Sequence, residues 1–360
     1  MDGLRIGIVG AGGIAVEHAK GWQANAPRGA IAAIADVTAE RAQALADRFT
    51  GGTARVYQDY EALVADAAVD AVDICLPHHL HTEAIVAAAR AGKAVLCEKP
   101  LSTAFEDAAV IDAALRETGV VFMAAHNQLF QPSLVEARQV LAAGVLGRPF
   151  VLRSMEAFQH RDFRLGRVAS HQGSGESPWA WRIDPRKMGG GTVIDTGWHA
   201  TYRILALADE RPVEVAAMTD RFYVHDLPAE DTGALLVRFA SGAIGQIFTS
   251  WACAPIGNWQ FEVMAENGSL AGGGVTLVRQ LHGWPHAAER TFEPTHTVTA
   301  EIKHFLDVVQ RGVPNLAPFE QSARALQLTT AAYRAAAERR SMTLPDDPLA
   351  PPEPATTPLS

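Results

Sequence analysis

Three residues of this chain have the types and setting for acid–base chemistry on a hydroxyl group. Asp195 and His199 are four positions apart, a spacing that puts both side chains on one face if the segment is helical. An imidazole titrates near working pH and suits a general base, and Asp195 would orient the ring or support its charged form. Lys99, within Glu98-Lys99-Pro100, would donate to an oxygen that develops negative charge. Desolvation would also let it share the base role, so the residues alone leave open which of Lys99 and His199 takes the proton. Pro100 restricts Lys99 to extended conformations and permits a cis bond, either of which would fix the direction of the lysine.

Removing a proton from an alcohol is half of an oxidation, and the other half needs a hydride acceptor. Gly10-Ala11-Gly12-Gly13-Ile14-Ala15 follows the apolar run Leu4 to Val9 and opens a helical pattern reaching about Asn25. This is G-x-G-x-x-A. The first glycine permits a tight turn, the second lets backbone approach a pyrophosphate, and the small third residue lets helix and strand pack closely. The pyrophosphate then meets the helix N-terminus. A second strand, Ala30 to Ala35, ends in Asp36, placed to accept from the adenosine ribose hydroxyls. A carboxylate there repels a 2′-phosphate, which favours NAD over NADP, although Arg41 one turn on weakens that preference and Asp36 also reads as a cap for the helix starting near Thr38.

These residues must be positioned by alternating elements. Helix 38–48 precedes a short strand near Arg55 to Tyr57. A helix at 59–66, a strand at 71–75, a helix at about 79–91, a strand at 94–97, a helix at 103–119 and a strand at 120–125 follow. Such alternation predicts a parallel, doubly wound sheet that binds ligands at the carboxyl ends of its strands. Pro77-His78-His79-Leu80-His81 and Glu98-Lys99-Pro100 both fall at such ends. After a helix from Ser133 to about Ala143 and a strand near Phe150 to Phe158, the stretch from Gln159 to Lys187 is long and polar. It is rich in Arg, His and Trp, including Arg164, Trp181 and Arg182, a composition that suits a sugar. Runs near 212–219, 231–240, 243–252 and 258–265 alternate apolar with polar residues and predict an antiparallel sheet. Its large exposed face implies a homo-oligomer, a dimer or tetramer. Helices near 298–311 and 319–339 close the fold, and the Pro-rich residues 344–360 read as a mobile tail or an arm on a neighbour.

The chain has 31 basic and 40 acidic residues, a net charge of −9 that argues against non-specific nucleic-acid binding. The start reads as a buried strand instead of a signal peptide, and no apolar run reaches the length of a membrane span. Cys75, Cys97 and Cys253 are odd in number and lie in apolar runs, as expected of buried thiols in a reducing, cytoplasmic compartment. His78, His79 and His81 cannot all converge on one ion from a tight loop, and hydride transfer to nicotinamide needs no metal, so none is expected.

Gly10 to Ala15, then "DAVDICLPHHLHTEAI", "AGKAVLCEKPLS" and "GGGTVIDTGWH" together resemble the Gfo/Idh/MocA oxidoreductases, with the likeness running from Leu4 to about Pro345. The resemblance implies a Rossmann domain, 1–125, followed by an α/β substrate-binding and oligomerisation domain, 126–343, with a large open, mainly antiparallel sheet and an active site between them. It implies that Lys99 reaches nicotinamide ribose and substrate and that Asp195 and His199 flank the substrate hydroxyl. By the same resemblance the cofactor would meet Gly10, Gly12, Gly13, Ile14, Asp36, Leu76, Pro77, His78, His81, Glu98, Asn127, Trp181 and Arg182, and substrate would also meet Gln128 and Arg164. His126-Asn127-Gln128-Leu129-Phe130 departs from the Tyr-Asn-Arg form common in the family. The expected activity is NAD-dependent dehydrogenation of a sugar or cyclic polyol. The alternative is glycoside cleavage by transient oxidation of the ring and elimination, which the same residues would serve.

Overall fold

The computed structural model describes residues 3–159, 180–225, 227–253, 255, 257 and 259–355. Contacts divide the chain into two units, Met1–Asn127 with His296–Ser322, and Gln128–Thr295 with Ala323–Ser360.

The first unit is built on six parallel strands. They are β1 (Leu4–Val9), β2 (Gly29–Ala35), β3 (Arg55–Tyr57), β4 (Ala71–Ile74), β5 (Ala94–Glu98) and β6 (Phe122–Ala125), in the order β3-β2-β1-β4-β5-β6. Helices α1 (Gly13–Ala24), α2 (Ala39–Thr50), α3 (Tyr60–Ala65), α4 (His81–Arg90) and α5 (Asp107–Thr118) alternate with them. Strands covered on both faces must be apolar throughout, and Ile6, Ile8, Ile34, Val72, Ile74, Val95 and Leu96 are all buried. The strand order reverses between β1 and β4, so the turns leaving them face one crevice at their carboxyl ends. There Gly10 has a φ of +94°, and a Cβ on it would lie 2.5 Å from the carbonyl oxygen of Cys75. Only glycine fits.

The second unit carries a ten-stranded sheet. Its members are β7 (Pro149–Ala157), β8 (Pro212–Asp220), β9 (Thr232–Phe239), β10 (Ile244–Ser250), β11 (Phe261–Ala265), β12 (Gly268–Gly273), β13 (Thr276–Leu281), β14 (Ala288–Thr291), β15 (Met342–Thr343) and β16 (Glu353–Pro354). The order is β14-β13-β12-β11-β7-β10-β9-β8-β15-β16, antiparallel except where β10 runs parallel to β7. Helices α6 (Pro132–Ala142), α7 (Pro185–Met188) and α8 (Gly197–Ala208) precede or interrupt the strands. One face of the sheet is covered, with α8 on β7 and β10 and α6 on β12 and β13. Along β9, Leu235, Val237 and Phe239 are buried, whereas Leu236 between them is 53% exposed. On neighbouring strands Met218 is 83% and Ile244 42% exposed, so the uncovered face keeps large apolar side chains.

Three expectations are corrected. The helix α9 (Thr297–Arg311) belongs to the first unit, not with α10 (Phe319–Glu338) in the second. Its apolar stripe packs on α1, where Phe305 meets Trp22 edge to face at 6.1 Å, and Asp307 pairs with Arg28 at 2.9 Å. As far as residue 355 the Pro-rich tail is held on its own chain instead of hanging loose. Arg324, Gln327 and Arg334 of α10 donate to the carbonyls of Pro345, Asp346, Asp347, Ala350 and Pro352, and β16 pairs with β15 at the sheet edge. A proline loses its N–H but keeps its carbonyl, so such a segment can be held through its acceptors. Cys253 is only half-buried, in the loop after β10, while Cys75 and Cys97 are buried, and all three are free. Among the described residues no helix is long and apolar enough to cross a membrane.

Candidate active site

In the first unit the glycine turn leads straight into α1, with Gly12 as its N-cap. No atom lies within 4 Å of where a Cβ on Gly12 would stand, which leaves open space beside the helix's unpaired N–H groups. Gly13 and Ile14 form its first turn. Asp36 stands just beyond β2, and its carboxylate accepts from the backbone N–H of Ala11 and of Thr38, both at 2.8 Å. The side chain is thereby fixed against the glycine turn and also serves the start of α2. The amide oxygen of Asn127 is buried and has no hydrogen-bond partner among the described residues. An open glycine cradle, a fixed carboxylate and an orphaned acceptor are what a dinucleotide would complete.

Leu76 and Pro77 lead from β4 into a short 3-10 turn, His78–Leu80, and then α4. The three histidines of this loop part company. His78 is buried, with its ring 5.9 Å from that of His81, and His79 is half-buried. His81 is fully buried, and its ring nitrogens sit 2.7 Å from the Pro100 carbonyl and 2.9 Å from that of Leu76. It sits between two strand-end turns with a carbonyl against each nitrogen, and as a neutral ring it donates to only one of them. Burial pushes its pKa down. Glu98 closes β5, and its Oε2 accepts the Lys99 N–H at 3.0 Å. The Lys99-Pro100 peptide is cis, and Lys99 is half-buried at the carboxyl end of the strand.

In the second unit Asp195 is 3% exposed and stands on a turn, because α8 begins only at Gly197. Its Oδ2 lies 3.8 Å from Nε of Arg182, whose guanidinium stacks over Trp181 with 4.9 Å to the ring centroid. His199 lies in the first turn of α8, half-buried, and its Nδ1 is 2.7 Å from the Tyr202 hydroxyl. That hydroxyl also accepts the Gln128 N–H at 3.2 Å. The Gln128 side-chain oxygen accepts from Arg203, a fully buried guanidinium that also pairs with Glu156 at 2.6 Å and donates to Ser154 and to the carbonyls of Met155 and Gln260. Arg203 thus ties α8 to β7 beneath the histidine. Arg164 lies outside the described residues.

The loop before Asp195 is held by two residues that the sequence gives no reason to single out. Tyr333 on α10 accepts the N–H groups of Gly191 and Ile194 and donates to Glu230, whose carboxylate accepts the Val193 N–H at 3.0 Å. The Glu230 carbonyl accepts from Thr192. Four consecutive N–H groups are satisfied from two side chains and one carbonyl. Only Tyr202 has a local signal in the sequence, three residues after His199 on one helical face. The partners of the others are far away in the chain.

The Rossmann sheet and the likeness to inositol and sugar dehydrogenases make this chain an NAD(P)-dependent oxidoreductase acting on CH–OH groups. The family model for the NAD-binding Rossmann fold of the Gfo/Idh/MocA oxidoreductases matches residues 4–126, and that for the Gfo/Idh/MocA C-terminal domain matches 134–271. The chain belongs to this family. It is 32% identical over 268 residues to the 1,5-anhydro-D-fructose reductase of Ensifer adhaerens, covering 74% of this chain and 75% of that one. It is 26% identical over 354 residues to the myo-inositol 2-dehydrogenase of Thermotoga maritima, covering 95% and 98%. A crystal structure of an NAD-binding oxidoreductase from Klebsiella pneumoniae superposes with a TM-score of 0.81 at 25% identity, covering 96% of this chain and all of the other.

Proposed function

We propose that this protein oxidises a hydroxyl of a sugar or cyclic polyol with NAD, and that Lys99, Asp195 and His199 carry the proton chemistry. The observation that carries this reading is the pairing of His199 with Tyr202. A base acting through Nε2 needs its proton on Nδ1, and the Tyr202 hydroxyl at 2.7 Å can accept a hydrogen bond from it. His199 then takes the hydroxyl proton. Asp195 supports the imidazolium that results, and Lys99 donates to the oxygen as its charge grows. Bound NAD would supply the hydride acceptor. Gly10, Gly12, Gly13 and Ile14 would hold its pyrophosphate, Asp36 its adenosine ribose, and Asn127 would meet a donor. The fixed Asp36 carboxylate supports NAD over NADP, because a 2′-phosphate would meet a charge already held by two N–H groups. The substrate class rests on the sugar and inositol enzymes among the relatives.

The uncovered face of the large sheet supports association of copies of this chain through it, as a dimer or tetramer. Two buried, free thiols fit a reducing compartment such as the cytoplasm.

The test is NADH absorbance with NAD and, separately, NADP across inositols, aldoses, sugar phosphates and glycosides. A rise with a free polyol or sugar and NAD supports the reading. A flat trace with release of aglycone from the glycosides replaces it with cleavage through transient oxidation. Lys99→Ala and His199→Ala should each lower kcat by about 10²–10⁴-fold with NAD affinity intact, and near-normal turnover in either variant would remove that residue from the mechanism.

A further inference from the structure

The first unit contains a chain of buried charge that none of these roles uses. His18 on α1 has no exposed surface. Its Nδ1 lies 3.0 and 2.9 Å from the two carboxylate oxygens of Asp73 on β4, and its Nε2 lies 3.0 Å from Oε1 of Glu98. Both carboxylates serve as acceptors elsewhere as well. Asp73 takes the Trp22 indole N–H at 2.6 Å, and Glu98 takes the Lys99 N–H on its other oxygen. An ionised carboxylate can only accept, and a neutral imidazole has a single N–H to give. With Asp73 and Glu98 both ionised, both contacts are made together only when the ring carries two protons.

The surroundings agree. Burial alone would push the imidazole down, but the charge and hydrogen bond of Asp73, together with Cys75, outweigh it and hold His18 well above its ordinary value. Burial would push Glu98 up, and the hydrogen bond and charge of His18 outweigh that in turn. Of the other titratable groups facing this chain, Lys99 brings a charge that also favours ionised Glu98, and burial disfavours the charged forms of the rest. Burial pushes the Cys75 thiol up to about 12 and the Cys97 thiol well up. It pushes His81 down and His126 down to about 3. From α9, burial pushes Glu301 well up. His18, Asp73 and Cys75 do offer three ligand-type atoms within 4.8 Å of one another. A metal ion would need a thiolate and a bare ring nitrogen there, and the site presents a thiol and two engaged nitrogens.

We infer that His18 is a positioning residue for Lys99: the buried imidazolium ties Glu98 to α1 and aims its second oxygen at the Lys99 backbone. The helix that opens on the nucleotide cradle and the strand end that presents the lysine are thereby fixed to each other through one charged ring. The inference rests on Lys99 standing at the reaction centre.

The test uses the full chain. His18→Gln should keep NAD affinity within about twofold and lower kcat by about tenfold or more. Its kcat should also gain an acid limb. Without the imidazolium, buried Glu98 moves upward, protonates as pH falls, and releases the Lys99 N–H. The double variant His18→Gln/Glu98→Gln should be slow but lack that limb, since residue 98 no longer titrates. The same profile in wild type and His18→Gln, or the same limb in single and double variants, overturns the proposal. If His18→Gln does not fold, ¹⁵N NMR of the wild-type protein without substrate decides. Two imidazolium shifts unmoved from about pH 6 to about pH 9 support it, and a neutral ring within that range overturns it. Near-normal turnover in Lys99→Ala would instead end the reading of the site and leave the charge state of His18 standing.

Discussion

Tyr202 engages Nδ1 of His199 at 2.7 Å, and the proposed base role rests on that contact. Tyr202→Phe removes the acceptor at Nδ1 while keeping the ring that packs on the imidazole at 5.5 Å. The loss of one such hydrogen bond should lower kcat/KM about tenfold, with NAD affinity unchanged, as steady-state kinetics and nucleotide titration would read. Unchanged kcat/KM would mean the phenol is structural. At this scale the sequence was legible where chemistry is written in a local pattern. Gly10 to Ile14, Asp36 and Glu98-Lys99 all sit at the strand ends that alternation predicts. It was illegible where a residue is defined by distant partners. His18 meets acids at 73 and 98, and His81 sits between two carbonyls that no spacing rule reveals.

Elements were foreseen in proportion to their periodicity. Every strand of the parallel sheet and the long helices were visible. The strands β12 to β16 of the large sheet were not: Gly268–Gly273 is diluted by glycine, Ala288–Thr291 is polar and wholly exposed, β15 and β16 are two residues each, and Thr276–Leu281 between the hairpin turns was not foreseen either. Two predictions belong here. A Cβ on Gly191 would lie 1.9 Å from the Glu230 carbonyl oxygen, a backbone atom that cannot rotate away. Gly191→Ala should therefore cost about 1–3 kcal/mol, seen as a lower Tm together with lost activity, because the loop leads to Asp195. Glu301 on α9 is fully buried, with neither carboxylate oxygen hydrogen-bonded among the described residues. Its pKa is raised by burial, so the folded state holds a proton that the unfolded chain releases. That contribution to stability is intact below the ordinary carboxylate range and is lost as pH rises toward the raised value. Glu301→Gln should match wild type in Tm near about pH 4 and exceed it near about pH 8. A difference that did not grow with pH would contradict this.

Across the whole molecule, the two units divide the labour. One holds the nucleotide cradle and Lys99, and the other holds Asp195 and His199. The sequence pointed to this division but put α9 on the wrong side, because a helix's own pattern shows that it has an apolar stripe and not which partner covers it. The open sheet face has the same ambiguity, and a charge there tests it. If copies associate through this face as proposed, Leu236→Lys should leave the fold intact and lower the mass seen by light scattering, whereas an unchanged mass would count against that contact. The tail held along α10 bears on how copies meet. Unpaired strand edges are templates on which foreign strands can grow. Here one edge ends in Glu353–Pro354, where a proline has no N–H to offer, and the other in Ala288–Thr291, which carries Glu289 and Arg290. A proline at one border and charged side chains at the other both disfavour lengthening of this sheet by a foreign strand.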